Sequence, residues 1–108
     1  MNTQVLNEYG FNFIKKTDGT KLISNTSTSY IASYISEYSA PELIQEYIDD
    51  VDLCLSGQFD LVEDTTKSTD FIYAKLYPDG LYFDDDEMLP LYDLRELLSS
   101  WKEFLEGN

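Results

Sequence analysis

The 108 residues carry 21 Asp and Glu against seven Lys and Arg, with no His, for a formal net charge of −14. That balance excludes His-dependent triads, Cys/His nucleophile pairs and imidazole zinc sites, and it opposes binding to nucleic acid or an anionic membrane. Cys54 has no second cysteine to pair with, no apolar run approaches the roughly 18 residues of a membrane span, and Met1–Gly10 lacks a signal peptide's basic and apolar regions, so a reducing cytoplasm is the expected setting.

Apolar residues at 43% and aromatics at 15% point to a folded chain, read as one domain over residues 1–108. Its charge is uneven. Residues 1–36 hold three lysines against two acids; residues 37–108 hold four basic residues against 19 acids.

The first expected element is a hairpin. Residues 11–16 and 21–24 are β-prone, and Asp18-Gly19 between them predicts a two-residue type I′ turn. Residues 28–36 read as a strand from their Tyr and Ile content. A helix remains open there, because Ile31, Tyr34, Ile35 and Tyr38 also fall at i, i+3, i+4, i+7. Ser39-Ala40-Pro41-Glu42 reads as a capping box that starts a helix over about residues 40–55. Leu43, Tyr47, Val51 and Cys54, flanked by Ile44, Ile48 and Leu55, form its apolar stripe, and Gly57 its stop. Its polar face carries Glu42, Glu46, Asp49, Asp50 and Asp52.

Residues 59–64 and 70–77 are expected as strands. In the second, Phe71, Tyr73, Lys75 and Tyr77 face one way and Ile72, Ala74 and Leu76 the other. Pro78-Asp79-Gly80 predicts a turn, Leu81-Tyr82-Phe83 a returning strand, and Asp84-Asp85-Asp86-Glu87 an exposed acidic loop. A helix follows from Pro90 or Leu91 to Leu105, with Leu91, Leu94, Leu98, Trp101 and Leu105 as its stripe and Gly107 beyond its end. Short connections between strands favour antiparallel pairing, so the expected class is α+β: a mostly antiparallel sheet with two helices packed on it.

No enzymatic chemistry is expected. The four consecutive acids lack the alternating ligands and Gly turn of a calcium loop, so no metal site is assigned. Carboxylate pairs abound without specificity, no Gly-rich phosphate loop is present, and Cys54 falls on an apolar stripe, so no catalytic residue and no cofactor are assigned. Dense acid interleaved with tyrosine instead suits a surface for Lys/Arg-rich protein. The candidate contact residues are Asp49, Asp50, Asp52, Asp60, Glu63, Asp64, Asp84, Asp85, Asp86 and Glu87, with Tyr77 and Tyr82 as anchors, divided between a helix patch and a hairpin patch.

From residue 43 to 105 the chain resembles bacterial immunity proteins, the antidotes of polymorphic and contact-dependent growth inhibition toxins. The residues that carry the resemblance are the helix ending at Tyr47–Gly57, the hairpin Tyr77–Phe83, the acidic loop, and Leu89-Pro90-Leu91 leading into a leucine-rich helix with late Trp101 and Phe104. The resemblance implies cytoplasmic residence and one-to-one inhibition of a cognate toxin, often a nuclease. The expected function is occlusion of a basic toxin, carboxylates replacing substrate phosphates against its Lys and Arg. An acidic DNA-mimic inhibitor of a nucleic-acid-binding enzyme is the alternative.

Overall fold

Residues 1–10, where no element is expected, open with helix α1 (Thr3–Glu8). The Asn2 side chain accepts a hydrogen bond from the Val5 N–H at 3.2 Å, and Val5 and Leu6 are buried. A computed structural model describes residues 1–25, 30–84 and 87–107 of the chain. Gly10, at φ 70°, turns the backbone into the first hairpin, β1 (Phe11–Lys15) and β2 (Lys21–Asn25), with Phe11 opposite Asn25 and Lys15 opposite Lys21. Its loop differs from expectation. The Lys16 N–H bonds the Thr20 carbonyl and the Gly19 N–H bonds the Lys16 carbonyl, with Gly19 at φ 91°. This is a three-residue loop ending on a left-handed glycine rather than a two-residue type I′ turn.

The strand reading of residues 28–36 is corrected from Tyr30 onward; residues 28 and 29 lie outside the described residues. Helix α2 spans Ile31–Ser36 and buries Ile31, Ala32, Tyr34 and Ile35. Adjacent residues 31 and 32 are both buried, which a two-residue alternation forbids and a helical turn permits. Helix α3 (Pro41–Leu55) keeps its expected limits, with Pro41 in its first turn. The expected capping box is not made, because Ala40 takes the N-cap position and no side chain caps the end. At the other end Gly57, at φ 80°, donates to the Cys54 carbonyl while the Gln58 N–H reaches back to Leu53, a Schellman closure.

Residues 59–64 are not a strand. Phe59–Leu61 form one 3₁₀ turn, and the chain then bends at Glu63 and reaches Thr66, which bridges Lys75. The second expected strand shortens to β3 (Ala74–Tyr77), which pairs with β4 (Gly80–Phe83). An unforeseen strand, β5 (Met88–Pro90), completes a three-stranded antiparallel sheet in the order β3-β4-β5. Helix α4 (Leu91–Glu106) follows. The fold is therefore α+β, with four helices and two separate antiparallel sheets among the described residues.

One contiguous core joins these parts. Ile44, Ile48 and Val51 of α3 meet Leu94, Leu97, Leu98 and Trp101 of α4, over Leu76, Leu81 and Leu89 of the larger sheet. Each fully buried aliphatic side chain contributes about 1.5–3 kcal/mol. Cys54 belongs to this core, and burial pushes its thiol pKa up, the opposite of an activated nucleophile. The smaller hairpin packs over the end of α4, where Phe13 lies 5.5 Å from the Trp101 ring and 5.1 Å from Phe104. Among the described residues no helix is long and apolar enough to cross a membrane.

Candidate functional site

The polar face of α3 is not open on all sides. Residues 61–67 fold back beside it and leave a cleft of about 630 Å³. Glu46, Asp49 and Asp50 line one wall, Glu63 and Asp64 another, and Thr66 and Lys67 close the side toward the sheet. Five carboxylates thus face one ammonium. Leu43 and Leu61 also line it and are 56% and 57% exposed, so the acidic walls carry apolar ground. A concave, single-sign surface focuses its field outward and attracts cations.

A tyrosine cluster underpins this cleft. The Tyr34 hydroxyl donates to the Lys67 carbonyl at 2.7 Å, and the Tyr38 hydroxyl donates to the same oxygen at 2.9 Å. Tyr34 has one proton and gives it to Lys67, so the Tyr47 hydroxyl, 2.7 Å away, donates to the Tyr34 oxygen. Burial drives the pKa of both Tyr34 and Tyr47 far above the ordinary tyrosine value. The cluster fixes the backbone of residue 67, and Lys67 then reaches Asp50 at 2.7 Å and covers the Tyr47 ring at 5.2 Å.

Of the candidate residues, Asp49, Asp50, Glu63 and Asp64 share this cleft. Asp49 accepts from the Gln45 amide at 2.9 Å, and Asp64 accepts from the Thr66 N–H at 3.0 Å, closing a tight turn at the rim. Asp52 is held elsewhere, against Arg95 of α4 at 2.6 Å. Asp60 is exposed on the 3₁₀ turn and does not line the cleft.

Tyr77, Tyr82 and Asp84 lie on a different surface, the outer face of the three-stranded sheet. The two rings meet edge to face at 5.1 Å, and the Tyr82 hydroxyl donates to Asp79 at 2.7 Å. That carboxylate is also the first cause of the raised Tyr82 pKa. Glu87 is half-buried, and its carbonyl accepts from the Phe83 N–H at 2.9 Å. Asp85 and Asp86 lie outside the described residues.

Glu46, Leu43, Leu61 and Lys67 join the cleft although none is among the candidate contact residues; Glu46 is expected only on the polar face of the helix and Leu43 only in its apolar stripe. Glu46 was recoverable, since it lies three and four residues before Asp49 and Asp50 on one helical face. Lys67 was not, because its place depends on contacts with Tyr34 and Tyr38, about thirty residues away. Comparison with protein-family models, curated proteins and solved structures finds no match to this chain.

Proposed function

We propose that this chain is a non-enzymatic inhibitor of the immunity type, which binds a basic toxin, a nuclease in the simplest case, one to one and occludes its substrate-binding surface. The α3 cleft carries the reading: five carboxylates and two exposed leucines surround a single, already paired lysine. Solvation alone asks for dispersed charge of both signs, and here one sign is gathered into a concavity with apolar side chains inside it. A toxin that grips phosphates with Lys and Arg would meet carboxylates at those positions. Its charge would speed encounter, and the leucines and tyrosines would slow release.

The test is reconstitution with the protein encoded by the gene adjacent to this chain's own, assayed for toxicity and nuclease activity. A one-to-one complex that abolishes toxin activity is expected. The variant E46Q/D49N/E63Q/D64N should associate more slowly while keeping its circular dichroism and melting cooperativity. Absence of a complex even at low salt removes the reading.

A further inference from the structure

The cleft does not end at Thr66. Thr66 lines it, and its bridge partner Lys75 lies on the outer face of the three-stranded sheet. Paired residues on neighbouring strands point to the same face, so the row Thr66, Lys75, Tyr82, Met88 continues from the cleft rim across the sheet. The opposite face is buried through Ala74, Leu76, Leu81 and Phe83. The outer face stays in solvent, although Tyr73 is 52% exposed there and Phe71, beyond the strand end, 86%.

A hollow of about 350 Å³ lies on this face among Tyr73, Lys75, Tyr77 and Tyr82, and a second of about 380 Å³, past the strand end beside Tyr30 and Phe71, shares Tyr73, Phe83 and Asp84 with it. Their walls combine aromatic rings with the Asp84 carboxylate, and Lys75 also lines the smaller. In the smaller hollow the Tyr77 ring already accepts a cation from within the chain, the Lys75 ammonium 5.6 Å from its centre, so a partner's guanidinium there takes the place of that ammonium or stacks on the Tyr73 ring beside it. A second copy of the chain is a poor occupant, because stacking two such faces would bring together two bodies of charge −14. Rings beside carboxylates suit a planar, weakly hydrated cation that stacks and hydrogen-bonds at once.

We propose that the outer sheet face around Tyr73, Tyr77 and Asp84 is an arginine-reading surface, which takes guanidinium side chains from an extended segment of the basic partner while the α3 cleft takes charge without regard to its kind. The inference rests on the partner being a basic protein, and it adds discrimination of arginine from lysine.

The test uses two synthetic peptides of equal length, one alternating arginine with alanine and one alternating lysine with alanine, titrated into the full chain by calorimetry. The arginine peptide should bind roughly fivefold tighter. Tyr73→Ser and Tyr77→Ser should each remove most of that preference and leave lysine-peptide binding unchanged; both side chains are exposed, and thermal melts check the fold. Equal affinity of the wild-type chain for the two peptides overturns the proposal. So does an arginine preference that survives both substitutions, or a dimer in sedimentation equilibrium that Tyr73→Ser dissolves. If binding of both peptides falls only in E46Q/D49N/E63Q/D64N, the cleft reading stands and this one fails. If neither set of variants changes binding, both fail.

Discussion

Lys67 holds its ammonium 2.7 Å from the Asp50 carboxylate, with 13% of the lysine side chain and 26% of the aspartate side chain exposed. This pair sits where the acidic wall of α3 meets the segment that returns to the sheet. The same lysine's carbonyl receives Tyr34 and Tyr38. One residue therefore ties the charge of the cleft to the packing beneath it.

Lys67→Met tests that tie. Exposed ion pairs are worth about 0–1 kcal/mol, whereas breaking a buried pair costs about 3–5. This pair is mostly but not fully covered, so a loss of about 1–2 kcal/mol is expected in urea denaturation. Arg95→Met, which breaks the more exposed contact with Asp52, should cost less than about 1 kcal/mol. The Lys67 variant should also associate faster with a basic partner, since the cleft loses its one cation.

Tyr34→Phe isolates the hydroxyl cluster. It leaves the buried Tyr47 hydroxyl without its acceptor and removes one of two donors to the Lys67 carbonyl. A stability loss of about 1–3 kcal/mol is expected. Tyr38→Phe should cost less, because Tyr34 still satisfies that carbonyl and Tyr38 is only half-buried. The difference between the two midpoints in one denaturation series checks the ordering.

Alkaline pH probes the same groups. Burial raises the pKa of Tyr34, Tyr47 and Tyr38 above the ordinary 10.0, and burial plus the hydrogen bond to Asp93 raises Tyr9. Once the unfolded chain begins to lose its tyrosine protons, the folded chain still keeps them. Unfolding then releases protons, so stability is complete below pH 10 and falls above it, by about 1.4 kcal/mol per pH unit for each such tyrosine. Tyrosinate absorbance for these residues should rise together with loss of ellipticity, and Tyr34→Phe should make the fall with pH shallower.

The two long helices were legible because each carries an apolar stripe in its own sequence: of the expected residues, Tyr47, Val51 and Cys54, and Leu91, Leu94, Leu98 and Trp101, are buried. Leu43 and Leu55 are exposed instead, and Ile44 and Ile48 take the buried face. Residues 31–36 fitted two periods at once, and burial of both Ile31 and Ala32 against the core decided for helix. Short elements had no such signal. Helix α1 is held by Asn2 to Glu96 and Ser100 and by Tyr9 to Asp93, partners over eighty residues distant. Strand β5 is three residues long and exists through its pairing with β4. The acids of the cleft could be named in advance; their gathering depends on the 3₁₀ turn and the Thr66–Lys75 bridge, which bring residues 61–67 back to α3.

Two glycines separate backbone strain from crowding. At Gly57, φ is 80° and a new Cβ would meet nothing within 4 Å, so Gly57→Ala should cost only about 1 kcal/mol. At Gly80 a Cβ would lie 2.7 Å from the Leu89 carbonyl oxygen and 2.8 Å from the Met88 sulfur. The sulfur can move; the carbonyl belongs to the paired strand β5. Gly80→Ala should therefore cost about 2–3 kcal/mol and loosen β5, with faster amide exchange at its pairing with β4.

Salt should stabilise this chain. At −14 the charges repel, and in the cleft Glu46, Asp49, Glu63 and Asp64 face one another across a concavity in which Lys67 is engaged by Asp50. Raising sodium chloride from about 0.05 to 0.5 M shortens the screening length from roughly 14 to 4 Å and weakens that repulsion. The favourable pairs, Lys67–Asp50 and Arg95–Asp52, are close contacts and lose less. The melting temperature should rise with salt, and E46Q/D49N/E63Q/D64N should start higher and rise less. A wild-type melting temperature that falls with salt would mean that ion pairs outweigh repulsion, and the cleft would then carry no strain for a basic partner to relieve.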